Sequence, residues 1–168
     1  ESILRCSNLF DCKSQILGQI IHFVSKKAIN IDGFGEKNIK LFYDKKIIRS
    51  IADIFSISVN KAAILDLEGW GQLSYDNLID SLNRSKKVNL EKFIFSLGIR
   101  FVGENTSNLL AREFTTINNL IINSNNYDIL SNIDGLGPKA IDSIIKYFSN
   151  KKNLNIINQL IDHFEIKQ

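Results

Sequence analysis

The sequence predicts an all-α chain built from tandem units of helix, tight glycine turn and helix. Three observations carry this. A single proline in 168 residues leaves long stretches uninterrupted. Apolar residues recur at i, i+3 and i+4 far more than they alternate. Glycines fall in short clusters: Gly33 with Gly35, Gly69 with Gly71, Gly98 with Gly103, Gly135 with Gly137. The last glycines of these clusters, at 35, 71, 103 and 137, lie 36, 32 and 34 residues apart, the spacing of a repeat.

Aligned on that glycine, the four segments share one pattern. Four positions before it stands an aliphatic residue: Ile31, Leu67, Ile99 and Ile133. One position before it the residue is apolar: Phe34, Trp70, Val102 and Leu136. Three positions after it comes a small or short polar residue, Asn38, Ser74, Thr106 or Ala140, expected to let the two helices pack closely. Seven after it the chain is apolar again, at Phe42, Leu78, Leu110 and Ile144. The outer apolar residues are therefore expected to pin each turn to its helices, with Trp70 a hairpin anchor.

The turn, apolar-x-Gly-apolar-Gly, is suited to an anion. Glycine permits backbone conformations closed to other residues and leaves no side chain between main chain and ligand. The second glycine opens a helix, where unpaired N–H groups and the positive dipole end face outward. Such an end holds phosphate. Lys37 and Lys139, two positions beyond, can reach the same phosphate, and Asn105 takes that place in the third unit. In the second unit Gln72 and Leu73 replace the charged residues, and a weaker grip is expected. In the third, Phe101 replaces the first glycine, so a turn of different shape is expected, with Arg100 beside it as a groove or phosphate contact.

These segments resemble the helix-hairpin-helix motif, which implies sequence-independent contacts to the DNA backbone across the minor groove. A period near 34 also fits a protein-binding solenoid. That repeat's Trp, Leu-Gly and closing Pro are absent here, and the consensus centres on the turn. The expected interface is Gly33, Phe34, Gly35 and Lys37; Gly69 and Gly71; Arg100, Gly103, Asn105 and Thr106; and Gly135, Gly137 and Lys139.

Bulk composition sets the frame. Apolar residues make up 44% of the chain and charged ones 23%, with a net charge of +3. Fixed backbone N–H groups must then supply much of what bulk charge does not. No apolar run is long enough to cross a membrane and no export signal is evident, so a cytoplasmic setting with reduced thiols is expected. From the opening Glu1 and the absence of methionine, the chain is expected to be a segment of a longer protein.

Two stretches, His22 to Ile39 and Phe93 to Ala111, closely resemble segments of bacterial NAD-dependent DNA ligases, and the likeness runs from Arg5 to about His163. It implies a four-repeat helix-hairpin-helix domain over residues 26–168. Residues 1–25 would be the end of a four-cysteine zinc finger and a linking helix. In that family the last two zinc ligands have five residues between them, as do Cys6 and Cys12. Thiolates hold structural zinc in fours, so half a site is expected here. His22 is expected to be a packed helix histidine instead.

The resemblance implies a clamp on nicked double-stranded DNA, in a monomer continuous with an upstream nucleotidyltransferase domain that uses NAD and magnesium. The adenylated Lys-x-Asp-Gly motif of those enzymes is absent, so no catalytic residue is assigned and no activity, NAD or magnesium binding is expected of this segment. Asp32, Glu36, Glu68, Glu104 and Asp134 are read as helix-end charges. The alternatives are a helix-hairpin-helix tail of another repair protein and a helical protein-interaction scaffold.

Overall fold

The structure is a computed structural model that describes residues 12–167; Cys6 lies outside them. Helices dominate, as the apolar spacing requires. The first turn lies between α1 (Lys13–Val24) and α2 (Glu36–Asp44). A run of 3₁₀ turns (Ile51–Asn60) and the short α3 (Lys61–Leu65) lead into the second turn, which α4 (Gln72–Ser85) follows. The third joins α5 (Leu90–Ser96) to α6 (Glu104–Phe114). After α7 (Ile117–Asn123), the fourth lies between α8 (Tyr127–Ser131) and α9 (Pro138–Ser149), and α10 (Lys151–Ile161) closes the helical part.

One contiguous buried core runs from Leu17 of α1 to Leu160 of α10. The repeat positions fill it. Ile31, Ile99 and Ile133 are buried, as are Phe34, Val102 and Leu136, and Phe42, Leu78, Leu110 and Ile144 behind them. In the second unit Leu67 and Trp70 are only partly buried, packed against the same core. Trp70 nonetheless anchors its turn as expected: its ring lies 5.1 Å from Phe42, which lies 5.2 Å from Phe34. The first and second turns thus share one aromatic cluster, with rings meeting edge-on or tilted.

Periodicity did not announce a short parallel pair, β1 (Lys87–Asn89) with β2 (Glu165–Lys167), in the register Lys87 to Glu165 and Asn89 to Lys167. Strands of three residues carry too few side chains to set a period of two. Beside them Phe164 enters an aromatic cluster, with ring centroids 4.9 Å from Phe55, 5.4 Å from Phe93 and 6.4 Å from Phe23. Among the described residues no helix is long and apolar enough to cross a membrane.

Candidate nucleic-acid interface

The local backbone explains the first glycine of each turn. Gly33, Gly69 and Gly135 hold φ of 77°, 82° and 91°, the left-handed region that penalises a Cβ. In the second and fourth turns the residue after this glycine donates its N–H three positions back, Trp70 to the Leu67 carbonyl at 3.0 Å and Leu136 to that of Ile133 at 3.2 Å.

The third turn corrects the sequence reading. Phe101 adopts φ 63°, and Val102 N–H donates to the Ile99 carbonyl at 3.0 Å, so the turn keeps the hand of the others and the hydrogen bond of the second and fourth. A phenylalanine carries the conformation that glycine carries elsewhere. The residue is 50% exposed and two cations lie over its ring, the Arg100 guanidinium 4.8 Å and the Lys139 ammonium 5.5 Å from its centroid. Lys139 belongs to the fourth unit, so cation–ring contacts tie the third and fourth turns together.

Magnitudes here nearly cancel. Left-handed strain costs about 1–2 kcal/mol. A cation–π contact returns about 0.5–1 kcal/mol at an exposed site, and glycine would lose about 0.5–1 kcal/mol more chain entropy on folding. Phe101→Gly is therefore expected to leave the melting temperature within about 3 °C of the parent, by the scale of 2–4 °C per kcal/mol for a chain of this size. A fall beyond about 6 °C in a circular-dichroism melt would mean that the ring is a packing element.

The second glycine of each turn has a different explanation. Gly35, Gly71, Gly103 and Gly137 are the residues that open α2, α4, α6 and α9. Their φ values of −79°, −146°, −88° and −80° suit any residue. A Cβ built at any of the four would find no neighbouring atom within 4 Å. Neither backbone conformation nor internal packing requires glycine at these positions. What glycine leaves is bare backbone facing open space at a helix start.

The helix starts reinforce this. Helices α7, α8 and α10 are capped by their own side chains, with Thr116, Asn126 and Asn150 accepting from backbone N–H groups. The four helices that follow the glycine turns have no side-chain cap, as is also true of α1, α3 and α5, so it is the bare glycine together with the uncapped start that leaves their first N–H groups open to an outside acceptor. Glu36 and Glu104 occupy the first turns of α2 and α6, where a negative charge suits the dipole. Each is drawn to a lysine, Glu36 to Lys40 at 2.9 Å and Glu104 to Lys27 at 3.3 Å.

The remaining expected residues fall around these turns. Lys37, Asn105 and Lys139 are exposed beyond their glycines, and Arg100 is exposed beside Phe101. Thr106 and Asn38 are half-buried, Ser74 is exposed and Ala140 is buried, so close helix packing fits the fourth unit best. The Asn38 amide instead donates back to the Gly33 carbonyl at 3.3 Å, bracing the turn. His22 is packed as expected: Nε2 lies 2.7 Å from the Phe95 carbonyl, the rings are 4.8 Å apart, and Cδ2 lies 3.4 Å from where a Gly98 Cβ would stand. This contact and the Lys27–Glu104 pair join the first unit to the third, a link that no local pattern signals.

Of the two expected zinc ligands only Cys12 is described, half-buried at the start of α1. No group of three or more metal-ligating side chains occurs among the described residues. One thiol does not fit a structural zinc, so these residues alone do not make the site.

Comparison with known proteins agrees with this geometry. Residues 92–157, which hold the third and fourth turns, match the family described as helix-hairpin-helix motif. The DNA ligase of Pelagibacter ubique (strain HTCC1062) is 44% identical over 170 residues, covering 99% of this chain and 25% of that ligase. The DNA ligase of Ehrlichia chaffeensis (strain ATCC CRL-10679 / Arkansas) is 42% identical, covering 99% of this chain and 26% of the ligase. For the DNA ligase of Rickettsia canadensis (strain McKiel) the figures are 40%, 95% and 25%. The chain thus spans about a quarter of the length of these relatives. Along nearly its whole length, then, this chain belongs with the DNA ligases, as a region of them that carries the helix-hairpin-helix motif.

Proposed function

We propose that this chain binds duplex DNA through its sugar-phosphate backbone, without regard to sequence, and holds the duplex while a nucleotidyltransferase domain elsewhere in an NAD-dependent ligase seals a nick. The observation that carries this is the second glycine of each turn, which neither its φ nor any neighbour explains. A phosphate oxygen approaching the first N–H groups of the following helix does explain it. Four such turns act as repeats of one motif, and Lys37, Arg100 and Lys139 supply cations beside them. The first, third and fourth carry most of the grip, because Leu73 stands in the second where the others offer Lys or Asn.

Cys6 and Cys12 belong, in this proposal, to a zinc finger whose other thiolates come from preceding sequence. NAD and magnesium are bound by other parts of the enzyme.

Binding is tested by fluorescence anisotropy with a nicked duplex over a series of salt concentrations. Three cations on phosphates give a log–log slope of about −3, at roughly 0.9 per phosphate neutralised. A duplex of scrambled sequence is expected to bind within about threefold, because phosphate contacts carry no base information. A flat salt response, or strong preference for one sequence, would overturn the proposal.

A further inference from the structure

We infer that a cationic groove between the first and third turns is an additional seat for backbone phosphates of the bound duplex, an inference that rests on the DNA-binding reading above. A cavity of about 320 Å³ opens where the strand pair meets the chain entering the first turn. Arg84, Lys87, Lys92 and Lys167 line it, and Asp32 is its one acidic lining residue. Four cations against one carboxylate leave an excess of three positive charges, equal to the +3 of the whole chain. Even with Glu165 beside Lys87, positive charge prevails in this concavity, where converging field lines favour an anion.

The fold, and no local sequence pattern, creates this gathering. The parallel register sets Lys87 opposite Glu165 and Asn89 opposite Lys167, with all four on the exposed face of the pair. Arg84 arrives from the end of α4 and Lys92 from α5. Lys87 shares Glu165 at 3.9 Å across exposed side chains, while no carboxylate among the described residues pairs with Arg84, Lys92 or Lys167. Mutual repulsion among such groups is relieved only by counterions or a bound polyanion.

Position favours the duplex over a small anion. Asn30 and Asp32, directly before Gly33, line this cavity. Lys92 also lines a second one, of about 620 Å³, together with Lys26, Lys27, Glu91 and Glu104, the last being the residue after Gly103. The two cavities share Lys92, with one beside the first turn and the other beside the third. A continuous backbone held at both turns would lay its intervening phosphates here.

The test compares three variants of the chain by anisotropy across a salt series: Arg84→Gln with Lys92→Gln, the charge-matched Lys45→Gln with Lys151→Gln, and Gly35→Val with Gly137→Val. The groove variant is expected to melt like the parent, bind roughly tenfold more weakly at low salt, and lose about 2 from the log–log slope. The charge-matched variant is expected to keep the parent slope. If groove and charge-matched variants shift the slope alike, or the groove variant keeps it while the glycine variant loses binding, the groove is not a phosphate seat and the turns alone grip DNA. If the parent chain does not bind duplex at all, both readings fall. Calorimetric titration with inorganic phosphate separates the other source of the same chemistry. Submillimolar phosphate binding that needs Arg84 and Lys92, with an unaltered DNA slope, would overturn the inference in favour of a small-anion site.

Discussion

Gly35→Val together with Gly137→Val is expected to weaken duplex binding by a hundredfold or more while leaving the chain folded. Hydrogen bonds to a charged group contribute about 1.5–3 kcal/mol each. Removing one phosphate seat at each end of the repeat array therefore removes roughly 3–6 kcal/mol. The structural cost is small because both glycines have ordinary φ, −79° and −80°, and a Cβ at either finds nothing within 4 Å. Losing glycine as a helix-opening residue costs about 1 kcal/mol at each site. The melting temperature should fall by roughly 4–8 °C in total. A valine pair that binds with parental affinity would show that the bare backbone faces solvent for some other reason.

Phe42→Ala is expected to have the largest effect on stability. The side chain is fully buried and its ring contacts both Phe34, edge-on, and Trp70, tilted, so its loss opens a cavity under two turns at once. Truncations of this kind cost about 3–5 kcal/mol. That corresponds to a fall in melting temperature of roughly 6–20 °C. Trp70 is the one tryptophan of the chain, and its emission should shift to the red as water reaches the ring. Chemical denaturation followed by that emission measures both effects together. A loss below about 1 kcal/mol would mean that the two turns are held apart from each other and anchored independently.

Much of this architecture was legible in the sequence, because the apolar positions around each glycine turn recur along the chain. Ile31, Ile99 and Ile133 are buried because a tight turn needs an apolar anchor on its entering side, and each repetition strengthened that inference. The position of the glycines was legible for the same reason, but the reason for each glycine was not. Only the backbone shows that Gly33 is held by its own left-handed φ while Gly35 has no internal constraint. The third turn misled because a bulky side chain normally argues against a positive φ. The flanking cations that accompany Phe101 come from Arg100 and from Lys139 in the next unit, beyond any local window. The strand pair and the groove beside it were illegible because they gather residues from the 30s, the 80s and the 160s.

The aromatic seat of Phe164 also bears on how the chain is made. Its partners Phe23, Phe55 and Phe93 emerge from the ribosome well before it does, and β1 likewise waits for β2. Closing so long a loop is a late entropic step, and domains fold as synthesis proceeds. The units can therefore form their own turns early, each around its local helices. The contacts that run through Phe164 and β2, and with them the groove beside the strand pair, form only when residues 164–167 arrive.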